Sequence, residues 1–194
     1  HPVNRRQRQM CIRDRFRNDT DTVFEKNMKL GTSSLRRIMQ AKFHMNAKNI
    51  QLLNGNIDTR IKKLNDGLYD CIILAEAGLS RLSSLLEKQN YKQLEHITCS
   101  GQGVLAVQWK EGSKVEDFIK SSLLFDQMKE LNEQIKMERD LLKKLNADCN
   151  SAISIFASDG FLQGEIFGRD KFITFSGNNV DQLYKDCLLY TSPS

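Results

Sequence analysis

Between residues 28 and 75 the apolar positions switch repeatedly between two periods. A short run, Met28 to Leu30, stops at Gly31, and hydroxyl residues then open a segment in which Leu35, Ile38, Met39 and Phe43 share one helical face. This predicts a strand at Met28–Leu30 and a helix over Ser34–Asn46, followed by a second strand at Asn49–Leu53. Ile57, Ile61 and Leu64 recur at helical spacing, so a short helix is expected over Asp58–Asn65, closed by Gly67. Cys71–Ala75 reads as a third strand. Such short alternating segments indicate an α/β unit with a parallel sheet and right-handed crossovers. Ligands of these sheets bind beyond the carboxyl ends of the strands. Gly31-Thr32-Ser33-Ser34, Gly55-Asn56 and Ala77-Gly78 all fall there.

A helix over Leu79–Lys88 is expected next, then a polar connection through His96 to Gly101-Gln102-Gly103 and an alternating strand, Val104–Trp109. From Lys114 to Asn146 the spacing is helical, carried by Val115, Phe118, Ile119, Leu131, Ile135, Leu141, Leu142 and Leu145. Too few heptads repeat for a coiled coil, so a helix packed on a small sheet is expected. Strands Ala152–Ala157 and Phe161–Phe167 meet across Ser158-Asp159-Gly160, a hairpin signal. A strand at Phe172–Ser176 and a helix over Asn179–Asp186 complete a small α+β domain with a three-stranded sheet.

Composition changes this picture little. With 40% hydrophobic and 27% charged residues the chain suits a soluble globular protein, and no apolar run is long enough to span a membrane. The formal charge of +5 invites a nucleic-acid partner, but it resides in residues 1–18, which hold six Arg and one Asp; the remainder is neutral. That tail shows no helical or strand period. Its MCIRDR, and CLLYTSPS at 187–194, resemble translated sequencing-adapter sequence, so residues 1–16 and 187–194 are expected to be non-native tails outside the fold. A basic arm that binds nucleic acid is the lesser alternative. The five cysteines show no C-x-x-C pair or metal-ligand spacing, which argues against structural zinc and a disulfide framework and for a reducing compartment. Cys71, inside CIILA, reads as a buried core thiol.

The chemistry concentrates at the start of the first helix. Unpaired N–H groups, three hydroxyls and the pair Arg36-Arg37 make a site for anions, and the guanidinium fork suits carboxylate or phosphate. An ordinary capped helix with solvated arginines would read the same way on this segment alone. The segments GTSSLRR (31–37), GNIDTR (55–60), LNDGLYDCIILAEAGLSRL (64–82) and GQG (101–103), in this order and spacing, resemble the porphobilinogen deaminase (hydroxymethylbilane synthase) family of tetrapyrrole biosynthesis. The resemblance covers roughly Met28 to Gly177 and implies a fragment lacking most of the family's first domain.

The resemblance implies a transferase that joins four porphobilinogen units head to tail, with loss of ammonia, on a covalently bound dipyrromethane primer. It implies a periplasmic-binding-protein-like α/β domain over 17–97, a crossover segment belonging to domain 1 over 98–120, and a C-terminal α+β domain over 121–186. By motif match, Arg36, Arg37, Arg60 and Arg81 would bind cofactor or substrate carboxylates. Thr32 and Ser34 would add hydrogen bonds, Ala75, Ala77 and Gly78 would admit the ligand close to the backbone, and Gln102 and Gly103 would contact substrate. Cys149 matches the cysteine that carries dipyrromethane through a thioether. The implied partners are porphobilinogen and the growing pyrrole chain, bound by a monomer of the cytoplasm or plastid, with no nucleic acid, membrane or metal.

Three departures from the family pattern stand out. Asn54 replaces an arginine before Gly55-Asn56, and Ala147-Asp148 replaces two glycines before Cys149. None of the carboxylates here matches the family's catalytic aspartate, so the fragment is expected to be inactive alone. The alternative reading is a stand-alone anion-binding module of periplasmic-binding-protein-like fold, which needs only the arginine cleft and leaves Cys149 unmodified.

Overall fold

The computed structural model describes residues 12–16, 24–75, 91–104, 108–121, 124–148 and 150–191. Strand β1 (Ile12–Phe16) is followed by β2 (Lys29–Gly31), helix α1 (Leu35–His44), β3 (Asn49–Gln51), α2 (Ile57–Asn65), β4 (Cys71–Ala75) and β5 (Tyr91–Gln93). Helices α3 (Lys114–Ser121) and α4 (Leu124–Lys144) lead to β6 (Ile153–Ser158), β7 (Phe161–Phe167), β8 (Phe172–Gly177) and α5 (Val180–Thr191).

The first sheet has the order β3-β2-β4-β1-β5. Its β3, β2 and β4 are parallel, with Leu30 opposite Ile50 on one side and Cys71 on the other. The expected parallel sheet is present but incomplete as a description, because β1 pairs antiparallel with both β4 and β5. Strand β1 therefore corrects the expectation that residues 1–16 carry no strand and stand outside the fold. Its sequence, IRDRF, lacks an apolar alternation. The open edge of β4 supplies backbone partners whatever the side chains are, so the pattern could not announce this strand. The same holds for β5, expected only as a polar connection. The helix expected at Leu79–Lys88 and half of the strand at Val104–Trp109 lie outside the described residues, and residues 108–110 form no strand.

Buried residues lie on both faces of this sheet, as a parallel arrangement requires. Leu30, Ala41, Ala47, Cys71, Ile73 and Leu94 pack on the α1 side, and Leu53, Ile61, Leu64, Ile72 and Leu74 on the α2 side. Cys71 is fully buried, as expected of a core thiol.

In the second sheet β7 lies between β6 and β8, antiparallel to both. Asp159 and Gly160 both have positive φ and turn β6 into β7, the two-residue loop that their sequence signals. The strand pleat divides the side chains. Ile155, Ala157, Leu162 and Phe175 pack beneath α4 and α5 with Leu141, Leu183 and Cys187. Gly164 must be glycine, since a Cβ there would lie 2.4 Å from the Ser154 carbonyl oxygen. Helix α5 continues to Thr191, which corrects the expected end at Asp186. Val180, Leu183, Tyr184 and Cys187 form one helical stripe on the core, and Cys187 is 1% exposed.

Residues 153–158, 161–167 and 172–177 turn their other face toward α1. Phe43 of α1 lies 6.0 Å from Phe167 and 5.2 Å from Phe172 between ring centroids. Helix α1 is thus held between two sheets, and this overturns its expected apolar face: Leu35 is 43% exposed, whereas Arg36, Gln40 and Ala41 are buried. The stripe of α1 that faces the second sheet is buried, so its polar groups are hydrogen-bonded within the protein.

Glu138 of α4 joins the two units. Fully buried, its carboxylate accepts the backbone N–H of Gly101 at 2.8 Å and that of Ala157 at 2.8 Å. Glu138→Ala would remove the acceptor of both N–H groups, at a cost of about 3 kcal/mol in stability. Denaturant titration is expected to show that loss, and hydrogen exchange to show faster exchange at the amides of Gly101 and Ala157.

Candidate functional site

A cleft of about 650 Å³ lies between the N-terminal end of α1 and the loop that follows α4. Ser34, Arg36 and Cys99 line one side, and Arg139, Lys143 and Asp148 the other. Ser34 is the N-cap of α1 in extended conformation but makes no side-chain capping bond, so its hydroxyl remains available at the cleft wall. The first-turn N–H groups of α1 add a positive potential at the same end.

Arg36 is 5% exposed and fixed by several acceptors. Its Nη1 donates to Gln40 Oε1 at 2.8 Å and, at longer range, to the Ile97 carbonyl; Nη2 donates to Gln102 Oε1 at 3.4 Å. Burial pulls this guanidinium below its ordinary pKa, opposed by Cys99 and Glu165. It remains a cation. The Cys99 thiol donates to Gln102 Oε1 at 3.0 Å, which places Gln102 against the cleft arginine. Gly103 is exposed with a φ of 80° in the adjoining turn.

The other candidates divide between a second cluster and the core. Arg60 donates from Nε to the Gly55 carbonyl at 2.7 Å and from Nη2 to Ser33 Oγ at 3.3 Å, joining the loops after β2 and β3. Gly55 has a φ of 119°, and a Cβ would strike Thr59. Arg37 Nη1 reaches the Ile73 carbonyl of β4 at 3.5 Å. Thr32 is fully buried, and its Oγ1 accepts the Ser34 N–H at 3.4 Å, so it shapes the turn from within. Ala75 ends β4, opposite Ile12. Asn54, exposed, holds Lys63 through its carbonyl at 3.0 Å. Ala77, Gly78, Arg81 and Cys149 lie outside the described residues.

Ala147 and Asp148 stand where the family pattern has two glycines. Positive φ falls on Asn146, not on Ala147 or Asp148, so the two glycine replacements need no left-handed backbone. The Asp148 carboxylate accepts the Asn150 N–H at 2.9 Å and the Ser151 hydroxyl at 3.1 Å. The first of these bonds, supported by the second, holds its pKa below the ordinary value.

Arg139 and Lys143 were not singled out as cleft residues from the sequence. Their signal was available: cations four apart on the helix that leads to Cys149. Also unforeseen was a buried network behind Arg36. The Gln40 amide nitrogen donates to the Ile97 carbonyl at 2.8 Å, Ser154 Oγ at 3.0 Å and Glu165 Oε2 at 3.1 Å. Ser154 Oγ donates to Glu165 Oε2 at 2.9 Å, and His44 Nε2 lies 2.7 Å from Glu165 Oε1. His96 stacks at a tilt 5.2 Å from His44. Among the described residues no cluster of His, Cys, Asp or Glu is fit to hold a metal, and no helix is long and apolar enough to cross a membrane.

Fold and site together define an α/β protein with an arginine-lined, carboxylate-compatible cleft closed by a second, antiparallel unit. Residues 3–117 match the family model described as porphobilinogen deaminase, dipyromethane cofactor binding domain. The chain is 40% identical over 128 residues to a probable porphobilinogen deaminase of Methanocaldococcus jannaschii, covering 66% of this chain and 39% of that protein. It is 38% identical over 184 residues to the porphobilinogen deaminase of Streptococcus sanguinis, covering 89% of this chain and 59% of that protein. The chain belongs to the porphobilinogen deaminase family. It spans between 39% and 59% of the length of these two relatives.

Burial, reinforced by His44, lowers the pKa of His96 to about 4. A histidine depressed in the folded state binds its proton more readily when unfolded, so stability is full above about pH 6.5 and is lost as pH falls toward 4. The expected loss is about 2 kcal/mol once partial exposure of the ring is allowed for. Urea titrations between pH 7 and 4 would show it, and His96→Asn would flatten the slope.

Proposed function

We propose that this chain supplies the carboxylate-binding cleft and the cofactor-bearing loop of a hydroxymethylbilane synthase. That transferase condenses four porphobilinogen molecules head to tail, with release of ammonia, on a dipyrromethane primer. The observation that carries the proposal is the buried Arg36 facing Arg139 and Lys143 across a 650 Å³ cleft, beside the loop that leads into Cys149. Each pyrrole bears an acetate and a propionate, so a ligand that grows by pyrrole units adds two carboxylates per step. A cleft with three cations, a free hydroxyl and a helix N-terminus suits that charge. The chemistry of the dipyrromethane, when bound, is to provide the chain end on which new units are joined.

The residues have separate tasks in this proposal. Arg36 offers its remaining donors to a carboxylate inside the cleft, and Arg139 and Lys143 neutralise charge at the opposite wall. Arg60 and Arg37 extend the cationic lining past Ser33 and the end of β4, with Arg81 and Gly78 contributing from the following segment. Asp148, engaged with Asn150 and Ser151, shapes the loop so that Cys149 can form the thioether. None of the chain's carboxylates matches the family's catalytic aspartate, so these 194 residues alone are expected to form no linear tetrapyrrole. An α/β unit of periplasmic-binding-protein type remains part of the proposal.

Two measurements test it. Calorimetric titration of the chain with porphobilinogen is expected to show a tenfold to hundredfold loss of affinity in Arg36→Leu, the worth of one charge-assisted contact. Lys42→Leu, an exposed position of α1, should leave affinity unchanged; equal affinity in all three proteins would refute the cleft assignment. In cells that make dipyrromethane, intact mass should show an adduct that Cys149→Ser abolishes and Cys99→Ser retains. Cys71 and Cys187 are no rivals, being buried at 0% and 1% exposure. An adduct that follows Cys99 would overturn the thioether assignment.

A further inference from the structure

We infer that Gln40 and Glu165 are positioning residues for Arg36: a carboxylate on the C-terminal sheet orients the Gln40 amide, and that amide orients the guanidinium in the cleft. The inference rests on the reading of the cleft as a carboxylate site and concerns what aims its buried cation.

A glutamine amide has an accepting end and a donating end, and its surroundings decide which way it turns. The nitrogen of Gln40 faces the Ile97 carbonyl, Ser154 Oγ and Glu165 Oε2. The Ser154 hydroxyl is itself committed as a donor to Glu165, so it presents a lone pair to Gln40. A flipped amide would set its oxygen against a carbonyl and a carboxylate, and would turn NH2 groups toward a guanidinium. Only one orientation avoids acceptor–acceptor and donor–donor contacts, and it leaves Oε1 directed at Arg36 Nη1, 2.8 Å away. The oxygen acceptors at Ile97 and Gln102 are both 3.4 Å away from Arg36. Gln40 therefore makes the short contact that fixes the side chain.

The intermediate amide matters chemically. A direct Arg36–Glu165 ion pair would consume the guanidinium fork and cancel its charge. Through a neutral amide, the buried carboxylate directs the cation without occupying it, and the outward donors stay free for an anionic ligand. Glu165 is 8% exposed and belongs to the second sheet, so the aim of the cleft arginine depends on a residue 129 positions away in sequence, the difference between 36 and 165. Gln40 is 1% exposed and does not itself line the cleft; it reaches the cleft through Arg36.

The test is porphobilinogen titration of the 194-residue chain in a double-mutant cycle, with thermal melting recorded alongside. Gln40→Met removes the accepting oxygen at similar volume, and Glu165→Gln, nearly isosteric, frees the amide to turn. Each is expected to weaken binding about tenfold in the parent chain and by less than about twofold in the Arg36→Leu background. Phe43→Leu loosens the same packing against Phe167 and Phe172 without touching the relay; it should lower the melting temperature and leave affinity intact. Parent-like affinity in Gln40→Met and Glu165→Gln overturns the inference. So does a loss that persists in the Arg36→Leu background, or an equal loss in Phe43→Leu. If the parent chain binds no porphobilinogen, or Arg36→Leu binds as well as the parent, the cleft reading itself fails and the relay falls with it.

Discussion

Helix α1 is caught between two sheets, and most of the architecture answers that constraint. Its Ala41 side seals the first sheet, and the stripe Arg36, Gln40, Phe43 and His44 faces the second. A polar stripe between two packed layers is tolerable only when each donor and acceptor finds a partner. Ser154 and Glu165 on one sheet, the Ile97 carbonyl in the connection, and Gln102 in the turn beyond it provide those partners. The mutual position of the two units is thus set by hydrogen-bond geometry at the centre and by aromatic contact at the edge.

The parallel core, both of its helices, the hairpin and the closing helix were legible because each follows a local period. Helix Ile57–Asn65 illustrates this, since Ile61 and Leu64 are buried where the spacing puts them. What was illegible depends on partners distant in sequence. Strands β1 and β5 exist through ladder pairing that no side-chain alternation reports. The apolar face of α1 was misjudged for the same reason: the spacing puts Leu35 in the core, but it is 43% exposed, while the face toward the second sheet buries Arg36 and Gln40.

The site shows the same division. Of the residues the motifs single out, Ser34, Arg36 and Gln102 lie together, and Arg60 lies beside Ser33 in a neighbouring cluster. Thr32 turned inward, because the backbone pairing of β2 with β3 runs on through it: its N–H donates to the Gln51 carbonyl at 3.1 Å. Glu165 was invisible as a functional residue, since a lone glutamate in a strand ordinarily faces water. Its meaning comes from Gln40 opposite. The departures before Cys149 prove mild for the backbone, because Asn146 takes the left-handed conformation that the glycines of the family pattern suggested for its successors.

The span between Gln40 and its partners also has a consequence for how the chain is made. Gln40 bonds to Ser154 and Glu165, which follow it by 114 and 125 residues. During synthesis from the N-terminus, α1 emerges long before either partner exists, and its polar stripe stays hydrated until the hairpin of β6 and β7 has left the ribosome. The helix can form early on local bonds, but its docking must wait for a closure over more than half of the chain. Contacts of that separation slow folding, so the cation at the centre of the cleft is among the last groups to reach its final place.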